Sequence, residues 1–148
     1  MILGFKTKFP DGKLTNFKDM ILTSFDLNHC GGYFDSKPHT IRIDVNNRWK
    51  TDKKIHFATG VRTKNYYCFK IGVCKSVQKI EMLNRGVYFC LMIDNISYST
   101  GNIDGHSVIE KLALNDGFKN VLEFKKWFIP NLGDCYRGKI IHWTDLKY

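Results

Sequence analysis

The stretch SKPHTIRID, residues 36–44, holds three polar side chains close enough in sequence to act on one ligand. A strand here puts Thr40 and Arg42 on one face, and Lys37 comes just before it. Pro38 cannot donate to a strand ladder and favours the start of the strand. A hydroxyl beside an ammonium group has the parts of an activated nucleophile, and a guanidinium can hold a phosphate or carboxylate. The alternative is an ordinary polar strand face turned to solvent.

The run from His39 to Val45 alternates in the way expected of a strand. Its odd positions are mostly apolar, and its even positions are polar. This pattern predicts a strand over residues 39–45 with the apolar side chains in the core. It leaves open whether the polar face meets solvent or lines a pocket.

The segment NDGF, residues 115–118, offers a carboxylate as a possible general acid or base. Asp116 is the candidate. The same residues are also typical of a helix end, because glycine readily adopts the left-handed conformation there.

Basic residues interleaved with aromatic ones form a third signal. Such mixtures allow bases to stack while cations hold phosphates, although solvated turns have a similar composition. The candidate binding residues are Arg48, Trp49, Arg62 and Lys64, with Lys50, Tyr66 and Tyr67 beside them.

The five cysteines and five histidines show no spacing typical of a metal or redox site. An odd number of cysteines without a Cys-x-x-Cys pair predicts reduced thiols that pack as small hydrophobic side chains. No phosphate-binding loop, dinucleotide fingerprint or nucleophile elbow is present. We therefore expect no metal and no other cofactor.

The composition suits a single globular domain over residues 1–148, with 43% hydrophobic and 14% aromatic residues. A formal net charge of +9 favours polyanion partners, nucleic acid before membranes. The N-terminal residues lack the apolar run of a signal peptide and nothing resembles a membrane span, so we expect a cytoplasmic protein. The oligomeric state stays open.

The elements that must position these residues are about six strands and three short helices. Strand-like runs cover residues 1–7, 39–45, 54–61, 66–82, 87–95 and 138–148, with Gly72 as a bulge or bend in the longest. Helices are expected at 15–25, 106–114 and 120–128, with Asn16 and Asn120 as N-caps, and loops at 28–38 and 96–105. The scarcity of strand–helix–strand alternation argues against a parallel doubly wound sheet and favours an α+β fold built on a small barrel.

Several segments together resemble the ASCH domain, a small β-barrel related to the PUA fold. They are FKDMIL before a loop, the Lys-x-x-Thr-x-Arg pattern of SKPHTIRID, and a turn with Asp52 leading into KIHFATG. LALNDGFKNVLEFKKWF and GKIIHWTDLKY resemble the closing helices and strand of a bacterial and phage branch. The resemblance covers nearly the whole chain. Two positions depart from the pattern, because Asp116 replaces a glutamate and Thr51 replaces the glycine before Asp52.

The resemblance implies an RNA-interacting module with a cleft between barrel and helices. One branch is similar to a small amidohydrolase that deacetylates N4-acetylcytidine. Carried over to this chain, Lys37 would activate Thr40 as the nucleophile, Asp116 would serve as acid and base, and Arg42 would bind an anion.

Three functions remain open from the sequence. The first is binding of RNA or a modified nucleotide through a cleft formed by Lys37, Thr40 and Arg42. The second is hydrolysis of an acylated nucleoside, and the third is a non-catalytic accessory role in binding another protein.

Overall fold

The computed structural model describes residues 1–26 and 36–148, and these ranges form eight strands and three helices. The strands are β1 (Ile2–Phe5), β2 (His39–Arg42), β3 (Lys54–Thr59), β4 (Tyr67–Val73), β5 (Ser76–Arg85), β6 (Tyr88–Ile93), β7 (Ile96–Ser99) and β8 (Cys135–His142). The helices are α1 (Phe17–Thr23), α2 (Ile103–Asn115) and α3 (Val121–Phe128). Most of the predicted loop at 28–38, with His29 and Cys30, lies outside the described residues.

The strands form two sheets, with the orders β1-β3-β4 and β2-β8-β5-β6-β7. Only β1 and β3 pair in parallel among the described strands. The pairings within the described ranges do not close into a barrel. The α+β class and the three helices are confirmed. The count of about six strands is too low, because the run at 66–82 divides into two strands and the predicted loop at 96–105 contains β7.

Two hydrophobic cores lie on opposite faces of the larger sheet. The inter-sheet core joins both sheets and α1, and includes Phe5, Phe57 and Trp143. The helix-side core lies under α2 and α3 and includes Phe124. Consecutive residues of β8 serve both cores, since Ile140 belongs to the helix-side core and its neighbour Ile141 to the inter-sheet core.

The strand predicted over residues 39–45 is shorter than expected, and its polar side chains are not turned to solvent. The strand ends at Arg42, and Ile43 and Val45 are 61% and 88% exposed. Within β2, in contrast, His39, Thr40 and Ile41 are all buried, whichever face they are on. The alternation therefore reflects a strand with protein on both sides, and its polar face is inside the molecule.

The N-terminal ends of the three helices confirm one of the two predicted N-caps. Asn120 caps α3 as predicted, accepting the Glu123 N–H at 2.9 Å. Asn16 precedes α1 but adopts a left-handed conformation and makes no side-chain cap hydrogen bond, so its predicted capping role is wrong. Helix α2 begins three residues before the predicted start because Asn102 caps it, accepting the Gly105 N–H at 2.6 Å.

Gly72 forms neither the predicted bulge nor the predicted bend, since it pairs in register with Ile55 of β3. It lies within β4, and the chain turns two residues later at Cys74 and Lys75. A Cβ atom at Gly72 would come within about 3 Å of the Phe25 and Phe57 rings. Glycine is therefore needed here for close packing against aromatic side chains.

Asp44 fixes the turn that follows β2. Its side chain is fully buried and accepts the backbone N–H groups of Arg48 and Trp49, each at 2.9 Å. The Lys139 ammonium of β8 lies 3.1 Å from the same carboxylate. Burial acts to raise the pKa of Asp44, but these donors outweigh it and hold the pKa below its ordinary value.

Replacing Asp44 with alanine should lower the free energy of unfolding by about 3 kcal/mol, because two backbone donors and one ammonium group lose their acceptor. Asp145→Ala is the matched control. Asp145 also contacts a lysine, Lys75 at 3.1 Å, but its side chain is 89% exposed, and its loss should cost less than about 1 kcal/mol. Urea unfolding of both variants measures the difference, and equal losses would contradict the role given to Asp44.

Candidate functional site

Lys37 is a buried lysine that joins three parts of the fold. Its backbone N–H donates to the Met20 carbonyl of α1 at 2.9 Å. Its side chain is 2% exposed, and its ammonium group lies 4.8 Å from the centre of the Phe17 ring. The ammonium donates to both the carboxylate and the backbone carbonyl of Asp116. Lys37 and Asp116, which are 79 positions apart in the sequence, therefore form an internal ion pair.

Asp116 reaches this position because α2 ends there. Gly117 follows in the left-handed conformation, with φ of +88°, and the Phe118 N–H returns to the Ala113 carbonyl at 3.0 Å. The turn directs the carboxylate toward the open edge of β2, where it accepts the Ile41 N–H. The sequence left helix ending and acid chemistry as alternatives for NDGF, and the structure shows a helix end whose aspartate pairs with a buried lysine.

Burial dominates the electrostatics of this pair. It lowers the pKa of Lys37 to about 8, although the negative charge of Asp116 opposes the shift. It also raises the pKa of Asp116, against the opposing effects of Lys37 and Arg42. Both groups are therefore closer to exchanging a proton at neutral pH than they would be in water.

Thr40 stands apart from this ion pair. It is 1% exposed and pairs with Ile141 of β8, so its side chain faces the inter-sheet core. Among the described residues, its hydroxyl makes no side-chain hydrogen bond to Lys37 or Asp116. The structure thus brings two of the three predicted catalytic residues together.

Arg42 connects the two sheets. Its guanidinium donates to the Gly4 carbonyl of β1 at 2.9 Å and lies 5.2 Å from the centre of the Phe5 ring. Burial lowers its pKa, opposed by the negative charge of Asp116. One side of the guanidinium is therefore committed to holding the sheets together.

The remaining predicted binding residues differ in exposure. Trp49, expected at a binding surface, is 5% exposed and belongs to the inter-sheet core. The Arg48 side chain is 65% exposed, and its nearest carboxylate, that of Asp44, is 3.9 Å away. Arg62 and Lys64 are exposed on the loop between β3 and β4.

A cleft of about 500 Å³ lies where the parallel strands β1 and β3 end, and we call it the basic cleft. Its lining contains two lysines and no acidic residue: Gly4, Phe5, Lys6, Thr7, Lys8, Gly60 and Val61. Arg42 borders it through the Gly4 carbonyl, and the chain continues from Val61 into Arg62. Sequence reasoning missed Lys6 and Lys8, although two lysines at the end of the first predicted strand were a usable signal.

A buried polar row crosses three strands on the opposite face of the larger sheet. Ser76, His142 and His39 lie side by side on β5, β8 and β2. His39 Nε2 is 2.8 Å from the Tyr148 hydroxyl, which also accepts a hydrogen bond from the Asn115 amide at 2.8 Å. The other ring nitrogen of His39 is 3.7 Å from the Asp116 carboxylate. The row therefore connects to the Lys37–Asp116 pair.

Burial lowers the pKa of both histidines in this row. The pKa of His142 falls to about 4, and that of His39 falls well below its usual value. Neither ring nitrogen of His142 has a hydrogen-bond partner in the described part of the chain. The sequence pattern placed His39 with the apolar positions, which is correct for its burial but gave no sign of its polar neighbours.

Comparisons with protein-family models, with curated proteins and with solved structures each found no match to this chain. Within residues 1–26 and 36–148, no three His, Cys, Asp or Glu side chains are grouped so that they could hold a metal ion. None of the helices in these ranges combines the length and apolar character needed to cross a bilayer.

The Lys37–Asp116 pair should behave as a coupled unit in stability measurements. Lys37→Met keeps the apolar stem but leaves a buried carboxylate unpaired, and should cost about 3–5 kcal/mol. Adding Asp116→Asn removes that charge while keeping an acceptor for the Ile41 N–H, so the double variant should regain most of the loss. Denaturant unfolding of the four proteins measures the coupling.

The exposed pair of Lys13 and Asp11 provides the matched control. Its atoms are 3.0 Å apart, but the two side chains are 71% and 52% exposed. Lys13→Met should change stability by less than about 1 kcal/mol. Additive losses at Lys37 and Asp116 would show that the two groups do not stabilise each other.

Proposed function

We propose that this chain is an ASCH-like domain that binds RNA or a modified nucleotide. The observation that carries the proposal is the basic cleft, whose lining includes Lys6 and Lys8 and no carboxylate. A volume of about 500 Å³ lies within the range of small-ligand pockets. The net charge of +9 favours the same class of ligand.

Phosphate is the chemical group that the basic cleft suits best. Lys6, Thr7 and Lys8 are exposed consecutive residues of the cleft lining, and their ammonium and hydroxyl groups can donate hydrogen bonds to phosphate oxygens. Arg62 and Lys64 add two cations on the adjoining loop. The loop requires glycine at position 60, because a Cβ atom there would collide with the Asn65 carbonyl oxygen.

The Lys-x-x-Thr-x-Arg segment supports the cleft from inside. Arg42 contacts β1 directly, and Lys37 anchors the start of β2 to the end of α2. The two sheets share the inter-sheet core, and we propose that they correspond to the halves of a PUA-like barrel. In this arrangement the segment sets the spacing between the sheets, and hence the width of the cleft.

Binding of single-stranded RNA should weaken steeply as salt increases, because each phosphate contact releases counterions. The double variant Lys8→Ala, Arg62→Ala removes two cations, so the slope of log K against log salt should fall in magnitude by about 1.4. Fluorescence anisotropy with a labelled eight-nucleotide oligouridylate measures both effects. Lys147→Ala is the control, since Lys147 is exposed and does not line the cleft.

Three results would count against the proposal. They are no binding at micromolar protein, an affinity that does not change with salt, or an equal loss in the Lys147 control. Absence of nucleotide binding together with self-association in light scattering would instead favour the accessory role.

A second candidate, the deacylation of an acylated nucleoside, is favoured by the buried contact between Lys37 and Asp116, a pair of groups that can exchange a proton. Burial lowers the pKa of Lys37 and so brings its side chain closer to the neutral form that can accept a proton. This mechanism requires the buried Thr40 hydroxyl to move into contact with both Lys37 and the substrate. Its oxygen would then attack the acetyl carbonyl of N4-acetylcytidine, Lys37 would take the hydroxyl proton, and the cytidine nitrogen would leave with that proton. Water would then hydrolyse the acetyl-threonine ester and release acetate.

This mechanism requires the Thr40 hydroxyl, which Thr40→Ser keeps and Thr40→Val removes at nearly constant shape. Conversion of N4-acetylcytidine to cytidine, followed by chromatography, should fall by at least about a thousandfold in Thr40→Val and much less in Thr40→Ser. No turnover by the unmodified protein, or equal turnover in the two variants, would exclude the mechanism.

A further inference from the structure

A second depression, which we call the lysine groove, lies between residues 6–14 and α3. Its volume is about 550 Å³. Its lining combines apolar and aromatic side chains with four lysines and two acids: Lys6, Phe9, Pro10, Asp11, Lys13, Leu14, Phe118, Lys119, Glu123, Lys126 and Trp127. Lys6 also lines the basic cleft, so the two depressions adjoin.

The aromatic part of the groove is rigidly held. The Phe9 ring lies 6.0 Å from Phe118 and 5.7 Å from Trp127, and the Lys6 ammonium lies 5.2 Å from the centre of the Trp127 ring. Residues 8–14 form a tight turn, closed by antiparallel β-bridge pairing between the backbones of Lys8 and Leu14. Of the three tryptophans, Trp49 and Trp143 are buried, while Trp127 is partly exposed. An aromatic side chain of this kind can stack on a nucleobase.

The charges in the groove favour an anion. Both acids contact donors of the protein, since Asp11 pairs with Lys13 at 3.0 Å and Glu123 accepts the Lys119 N–H at 3.4 Å. The ammonium groups of Lys119 and Lys126 are exposed on the rim. An apolar floor with a cationic rim complements a chain that has flat bases and a charged backbone.

From this geometry we infer that the lysine groove binds the continuation of a single-stranded RNA whose first nucleotide occupies the basic cleft. Trp127 stacks on a base, and Lys119 and Lys126 contact the phosphates beside it. The inference rests on the proposed function and extends it, because the ligand becomes a polynucleotide rather than a single nucleotide. Lys6, shared by the two depressions, lies where the strand passes from one to the other.

The test compares uridine monophosphate with an eight-nucleotide oligouridylate on the complete chain. The unmodified protein should bind the oligonucleotide at least about tenfold more tightly. The variant Lys119→Ala, Lys126→Ala should lose most of that advantage and reduce the salt slope by about 1.4, while its affinity for the mononucleotide stays the same. Lys147→Ala should leave the advantage intact.

Tryptophan fluorescence gives an independent signal that does not depend on removing charge. The oligonucleotide should quench the emission of the unmodified protein. Trp127→Phe should remove most of this quenching while it preserves an aromatic ring and most of the affinity measured by anisotropy. Bound oligonucleotide without quenching, or the same quenching in Trp127→Phe, would overturn the role of Trp127.

The outcomes separate this inference from the proposed function. If the protein binds both ligands equally well, or if the lysine variant weakens both equally, the groove is not part of the RNA site but the basic cleft still is. If the protein binds neither ligand, both proposals fail. An octamer of glutamate that binds as tightly as the oligonucleotide, with the same dependence on Lys119 and Lys126, would make the groove a peptide site and overturn the inference.

Discussion

The arrangement of the site depends on an ion pair placed where water cannot reach it. Lys37 and Asp116 each carry a large desolvation cost, and neither is stable inside the protein without the other. Their contact ties the segment before β2 to the end of α2, and the Asp116 carboxylate also occupies the open edge of β2. A single interaction thus sets the position of the edge strand, the helix end and the polar residues between them. The geometry of the Lys-x-x-Thr-x-Arg segment follows from this constraint.

Internal and surface charges have different roles in this protein. The charged groups of Lys37, Arg42, Asp44 and Asp116 meet protein partners, and they hold strands and helices together. Several exposed cations, by contrast, line the basic cleft and the lysine groove. The internal charges largely balance one another, so most of the net charge of the chain is available at the surface. This division explains how a polar strand can be structural while the surface keeps a net positive charge.

Local patterns in the sequence predicted much of the secondary structure. The Asn120 cap, the glycine that ends α2 and the α+β class all depend on residues close in the chain, and the structure confirms them. The proximity of Lys37 and Asp116 came from a family resemblance, because no local signal connects residues 79 positions apart. The alternation in β2 predicted which side chains share a face of the strand, but it did not predict that both faces are buried. Burial of the polar face depends on the positions of β8 and the second sheet, which the local sequence does not encode. For the same reason Trp49, which has a surface-like sequence context, is part of a core.

The two buried histidines have a consequence for how the molecule responds to acid. In an unfolded chain both imidazoles would take up protons as the pH falls through about 6.5, whereas in the fold His142 stays neutral until about pH 4. The unfolded state therefore binds more protons in this interval, so the free energy of unfolding decreases as the pH falls. Acidification thus lowers the free energy of unfolding through protonation of buried groups where β2, β5 and β8 meet. The same junction contacts Asp116 through His39, so loosening there would reach the internal ion pair before it reached the cationic surface.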